Sequence, residues 1–178
     1  EQGWICGYCQ QKISNIKNST IEHHCEQTIC NGENGRPDKT LDYRNMLAVC
    51  LGSIGNQQYC DTNKANYNES NGLPINISPW NQSHINRISY SSTGLIKSTD
   101  LTHNKEIDEI LNLNNIKILK KRRAEKFIFF LSKSGNPSVR KNKEKLKRLL
   151  EFDLIFGNNR FSNSFPGMSE YMLKKFCS

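Results

Sequence analysis

Apolar and polar positions fall into three regimes along the chain. Through residue 67 apolar residues are sparse. Ser19-Thr20-Ile21, rich in β-branched residues, predicts a short strand leading into Glu22 and His23. Residues 31–40 carry two Gly and a Pro and read as loop. Thr40 or Asp42 is placed to cap a short helix through Met46 and Leu47, and a second helix starts at Asp61 and runs over Asn63, Lys64 and Ala65. Residues 68–104 form an Asn/Ser-rich connection. Within it His84 to Tyr90 alternates, Ser91 to Gly94 turns and Leu95-Ile96 returns, which predicts a β-hairpin.

From residue 105 the period becomes helical. Ile107, Ile110 and Leu111 form one apolar patch. After an interruption at Asn114-Asn115, Ile116, Leu119, Ala124, Phe127, Ile128 and Leu131 continue at helical spacing. Gly135-Asn136-Pro137 stops that helix, with Asn136 as the cap of the next and Pro137 at its first position. Val139, Leu146, Leu149, Leu150 and Asp153 mark its inner edge. An aromatic tail of Phe161, Phe165, Pro166, Met168, Tyr171, Met172 and Phe176 is expected to fold back on the helices.

Composition narrows the class. A chain of 178 residues can bury one moderate core, or a small core with a helical appendage. Only 35% of it is apolar, and no run approaches the ~20 apolar residues of a membrane span. No secretory h-region opens the chain, so a cytoplasmic protein is expected. Cys6 comes so soon after Glu1 that residues before Glu1 are expected to be missing. The net charge of +8 is uneven: residues 115–148 hold 13 of the 25 Lys/Arg against Glu125 and Glu144 alone. The other 12 face 15 acids, so the whole excess lies in one stretch, suited to a polyanion.

Seven cysteines cannot all pair within one chain. Cys6-Gly7-Tyr8-Cys9 lacks the βαβ surroundings of a redox motif, which leaves a cysteine redox protein as a minor reading. Ligand spacing favours Cys6, Cys9, Cys50 and Cys60 as a structural Zn²⁺ site, with the glycines of residues 51–59 allowing the loop out and back. Cys25 and Cys30 are rival ligands, read here as free thiols, and Cys177 as a tail thiol. Cysteines around a carboxylate, a histidine and an asparagine suggest a zinc-stapled scaffold that presents a second, catalytic metal site.

Cys6-Gly7-Tyr8-Cys9, Ile21-Glu22-His23, Leu41-Asp42-Tyr43-Arg44-Asn45-Met46-Leu47 and Cys60-Asp61-Thr62-Asn63-Lys64 together resemble the HNH endonuclease motif. They are most similar to the HNH subunits of the bacterial anti-phage Septu system and its relatives beside retrons. The resemblance covers roughly the first 67 residues. It implies an α+β fold: a zinc-stapled ββα-metal core over 1–67, a β-hairpin within 68–104 and a basic helical part over 105–178. It implies hydrolysis of DNA phosphodiester bonds with His23 as general base. Glu22 and Asp61 would face a catalytic Mg²⁺ or Mn²⁺, and Asn45 would bind that metal or fix the loop bearing His23. The family position held by Asp61 is commonly His or Asn; a carboxylate there suits a hard cation. His24 and Asn63 remain alternatives to His23 and Asp61.

The implied partners are DNA, an ATPase subunit and, in retron settings, a reverse transcriptase with its RNA–DNA, with no membrane. Lys64 and Lys120-Lys121-Arg122-Arg123 are the candidate nucleic-acid contacts, suited to phosphates rather than bases. The rival function is a non-catalytic zinc adaptor that bridges nucleic acid and a partner protein.

Overall fold

A computed structural model describes residues 2–33, 37–71, 75–156 and 164–178. The fold is α+β, with small antiparallel sheets at the N-terminal end and helices after them. Strand β1 (Ser19–His23) pairs with β2 (Met46–Cys50), with Ser19 opposite Cys50 and His23 opposite Met46. Leu47 and Val49 on β2 are buried, while Ile21 on β1 is exposed. A two-residue ribbon of β3 (Ser53–Ile54) and β4 (Gln57–Gln58) returns the chain to α1 (Cys60–Asn71). Gly52 makes this return possible. It sits at φ +64°, and a Cβ there would lie 2.0 Å from the Tyr59 carbonyl oxygen.

The expected helix through Met46 and Leu47 is not formed. Asp42 does cap, accepting from the Arg44 N–H, but the cap opens only a 3₁₀ turn, Tyr43–Asn45, and both apolar residues belong to β2. His84 is likewise not on a strand. It lies on α2 (Gln82–Asn86), opened by Asn81 accepting from the Ser83 N–H. The hairpin is shorter than its alternation implied: β5 (Ile88–Tyr90) against β6 (Ile96–Ser98).

Helix α3 (Leu101–Lys105) is capped by Asp100 and continues into a π turn, Glu106–Ile110, which ends before the long helix α4 (Lys117–Ser134). Asn114 fills the interruption between them by bonding both the N–H and the carbonyl of Ile96. Helix α5 (Arg140–Phe156) starts later than Pro137, after a turn in which Asn136 accepts from Ser138, and Val139 is half exposed rather than inward. The aromatic tail is the helix α6 (Pro166–Cys177), with Phe165, Met168 and Met172 buried; Phe161 and residues 34–36 of the expected loop lie outside the described residues.

One buried apolar cluster runs from Cys6 and Val49 through Ile107 and Leu119 to Leu150 and Met172, drawing on all three stretches of sequence. Within it Lys126 is buried. Its ammonium lies 2.8 Å from Asp153 Oδ2, which also accepts from Ser169 at 2.8 Å, so one ion pair ties α4, α5 and α6 together. Among the described residues no helix is long and apolar enough to cross a membrane.

Candidate metal centre and the acidic corner beside it

The four-cysteine set forms a single cluster. Cys6 and Cys9 come from the N-terminal knuckle, Cys50 from the end of β2 and Cys60 from the first residue of α1. Their sulfurs all lie within 4.8 Å of one another, with Cys6–Cys60 at 3.8 Å and Cys9–Cys50 at 3.7 Å. Thiolates ~2.3 Å from a central zinc stand about 3.8 Å apart along the edges of their tetrahedron. The donors are therefore spaced for such an ion, and these four cysteines could hold a structural metal such as zinc. Cys50 N–H points at Cys6 Sγ, 3.4 Å away, the kind of outer contact that orients a thiolate ligand.

Hydrogen bonds from Cys50 and Cys60 draw Cys6 well below the ordinary thiol range, whereas burial pushes Cys9 and Cys60 well above it. A dication overturns such a mixed protonation state, because binding deprotonates its ligands. Cys25 and Cys30 take no part. They are not free thiols: they form a disulfide with Cα atoms 6.0 Å apart, directly after His24.

The acidic corner lies at the junction of β1 and α1. Glu22 is buried, and its Oε1 accepts from Tyr8 OH at 3.1 Å and from the Lys64 ammonium. Lys64 stands one helical turn beyond Cys60, 2% exposed, and also pairs with Glu26 at 3.3 Å. Asp61 is half-buried; burial and a hydrogen bond with Glu22 push its carboxyl up to about 7. The two carboxyl groups therefore approach within hydrogen-bonding reach. They offer the hard oxygen donors that Mg²⁺ or Mn²⁺ takes, although Lys64 already supplies one positive charge to Glu22. Asn63 is engaged elsewhere, donating to the carbonyls of Glu109 and Ile110 at 2.8 Å each.

The histidines divide between two sides of β1. Alternation puts Glu22 and His23 on opposite faces. His23 Nε2 lies 2.9 Å from the Thr40 carbonyl. A carbonyl only accepts, so Nε2 donates in this bond, and the Gln27 amide nitrogen stands 3.4 Å from the same atom. His24 Nε2 donates to the Ile77 carbonyl at 2.9 Å, and its ring stands edge-on to Trp80, 5.4 Å between centroids. Burial lowers the His24 pKa, and the charges of Lys64 and Glu22 both reach it.

Asn45 is buried in the turn before β2. It accepts from the Cys25 N–H and donates to the carbonyls of Cys25 and Lys39, while its own carbonyl accepts from the His24 N–H. Each of these side-chain bonds holds backbone, so Asn45 fixes the segment that follows the two histidines.

Of the basic residues expected to meet nucleic acid, two are interior. Lys64 is spent on Glu22 and Glu26. Arg123 is fully buried, donating through Nε to the Gly94 carbonyl at 2.6 Å and through Nη2 to the Leu113 carbonyl at 2.9 Å. Lys121 and Arg122 are exposed and Lys120 is half-buried. Sequence reading passed over Tyr8, Glu26 and the role of Lys64 as counter-ion. Lys64 had a signal, since residues four apart share a helix face and its partner at that spacing is a zinc-type cysteine. No family model matches the chain, and no curated protein matches it.

Proposed function

We propose that the protein is a metal-dependent HNH-type endonuclease that hydrolyses DNA phosphodiester bonds, the effector subunit of a bacterial anti-phage complex with an ATPase partner. The observation that carries this reading is the meeting of Glu22 and Asp61, with histidines on either side of β1, at one corner of a four-cysteine cluster. Paired strands β1 and β2 precede α1, as in a ββα unit, with the short β3–β4 ribbon inserted between β2 and the helix.

In this reading a histidine at the end of β1 takes a proton from the attacking water: His23, whose Nε2 bonds the Thr40 carbonyl, or else His24 on the Glu22 side. Asn45 fixes the segment after them through the backbone at Cys25 and Lys39. Glu22 and Asp61 would hold a divalent ion, which when bound supplies Lewis-acid stabilisation of charge on the phosphate and the leaving oxygen. Lys64 and Tyr8 hold the buried Glu22 carboxyl group in place. Phosphate attraction comes from the exposed lysines and arginines of α4 and α5, including Lys121, Arg122, Lys141 and Arg148.

One observation favours the rival reading of a zinc adaptor without catalysis: Lys64 already pairs with Glu22, one of the two carboxylates a second metal would use. The deciding experiment is cleavage of plasmid DNA by purified protein, with and without the ATPase, in Mg²⁺ or Mn²⁺, alongside zinc analysis. The nuclease reading expects metal-dependent cutting that Glu22→Gln and His23→Ala abolish. If His23→Ala cuts as well as the parent and His24→Ala does not, the base is the histidine on the Glu22 side. Zinc at one equivalent with no cutting under any metal leaves the adaptor.

A further inference from the structure

A cleft of about 410 Å³ opens on the side of the molecule formed by the N-terminal knuckle, α2, the β5–β6 hairpin and α6. Its size falls in the range of ~300–1,000 Å³ usual for small-molecule sites. The inner wall is apolar, made by Ile88, Ile96, Ile107 and Leu111. Three rings, Tyr8, Tyr90 and Tyr171, also line it, with Tyr90 and Tyr171 tilted 55° at 5.8 Å.

Several polar atoms in the lining are held by bonds inside the protein. Tyr8 OH donates to Glu22, Gln10 Oε1 accepts from the Gly167 N–H at 3.0 Å, and Ser89 Oγ donates to the Lys97 carbonyl at 3.2 Å. His84 accepts from the Ser78 N–H at 3.2 Å through Nδ1. The interior therefore offers mostly apolar and ring surface.

The mouth differs in kind. Arg87, Lys174 and Lys175 stand there against the single carboxylate of Glu170. Arg87 is paired with Asp100, whereas Lys174 reaches only the Asn86 amide oxygen at 3.0 Å and Lys175 lies over the Tyr171 and Phe176 rings. Both lysines are exposed. An apolar, ring-lined interior beneath an excess of cations complements one kind of ligand.

We propose that this cleft is a binding site for a small organic anion with a flat apolar body, the body inside and the charge at Lys174 and Lys175. The cleft adjoins the acidic corner through Tyr8, but the proposal does not rest on the nuclease reading. Its test uses the zinc-loaded full chain and 1-anilinonaphthalene-8-sulfonate as the probe, followed by fluorescence. Saturable binding of one probe per chain is expected. Uncharged N-phenyl-1-naphthylamine and the double variant Lys174→Glu/Lys175→Glu should each bind about tenfold more weakly, the equivalent of one or two ionic contacts. Ile85→Trp, which fills the cleft from α2, should remove binding, and Arg122→Glu on α4 should leave it unchanged.

The lysine variants change exposed side chains only, so they keep the test decisive if Ile85→Trp does not fold. Binding that never saturates, or that Arg122→Glu weakens as much as the double variant does, overturns the proposal. So does a probe that does not bind below millimolar concentration, the result expected of a surface that takes only a macromolecular partner.

Discussion

Around Cys6, Cys9, Cys50 and Cys60 the chain is held by two-stranded ribbons and tight turns. Around Leu146, Leu150, Met168 and Met172 it is held by helices packed face to face. The first region spends its interior on sulfur, carboxylate and ammonium, with Trp4, Gln10 and Cys60 all in left-handed backbone conformations. The second buries leucine, methionine and phenylalanine, and its one fully buried lysine is paired with Asp153. A small region with so few apolar residues cannot offset its chain entropy by hydrophobic burial alone. A metal held by the four thiolates would make up that difference, while the helices supply most of the leucine, methionine and phenylalanine of the shared core.

The largest effect should therefore come from taking metal away from the first region. Structural zinc contributes on the order of 10 kcal/mol in small modules. Chelation, or Cys60→Ser, should strip hydrogen-exchange protection from β1 and β2 while the far-UV helix signal of α4, α5 and α6 is largely kept. Loss of both in a single transition would show that the two regions fold as one unit.

Next is the buried ion pair of the second region. Lys126→Met removes the ammonium that balances the buried Asp153 carboxylate, and should cost about 3–5 kcal/mol in urea unfolding. Adding Asp153→Leu should recover most of it. A double variant as weak as the single one would mean that Lys126 works mainly through the carbonyls of Ser164 and Phe165.

Smaller again is the seam where the hairpin turn meets α4. Gly94 lies at φ +81°, and a Cβ there would stand 2.0 Å from the Lys120 carbonyl oxygen. Gly94→Ala should cost about 1–3 kcal/mol by thermal melting, the price of strain at a position closed to side chains. Arg122→Ala should change stability by less than about 0.5 kcal/mol. If the exposed face of α4 meets DNA, the same change should lower the slope of log affinity against log salt by about one.

The two regions were also unequally legible. In the first, the Cys-x-x-C knuckle, Cys50 and Cys60 were readable because metal-ligand spacing is a local constraint, and β1 because its β-branched residues are contiguous. The Cys25–Cys30 pairing was not, since connectivity does not follow from sequence alone. The helix expected through Met46 does not form because Leu47 and Val49 alternate with more exposed neighbours as a strand, and the cap at Asp42 opens only a 3₁₀ turn.

In the second region the helical period placed α4 and α5, but composition hid its most telling feature. Arg123 stands four residues from both Leu119 and Phe127, and Lys126 four from Phe130, so each falls on the buried stripe. A count of charges treats them as surface. Of the Lys120–Arg123 cluster, only part of the charge reaches solvent.

The Cys25–Cys30 bond has a consequence at the bench. Four thiols of this chain must stay reduced to take a metal, while two others are joined beside His24. A dithiol added to protect the first set works against the second. Preparations made with and without it differ by a pair of hydrogens, and they are two chemical species that should be kept apart when activity is compared.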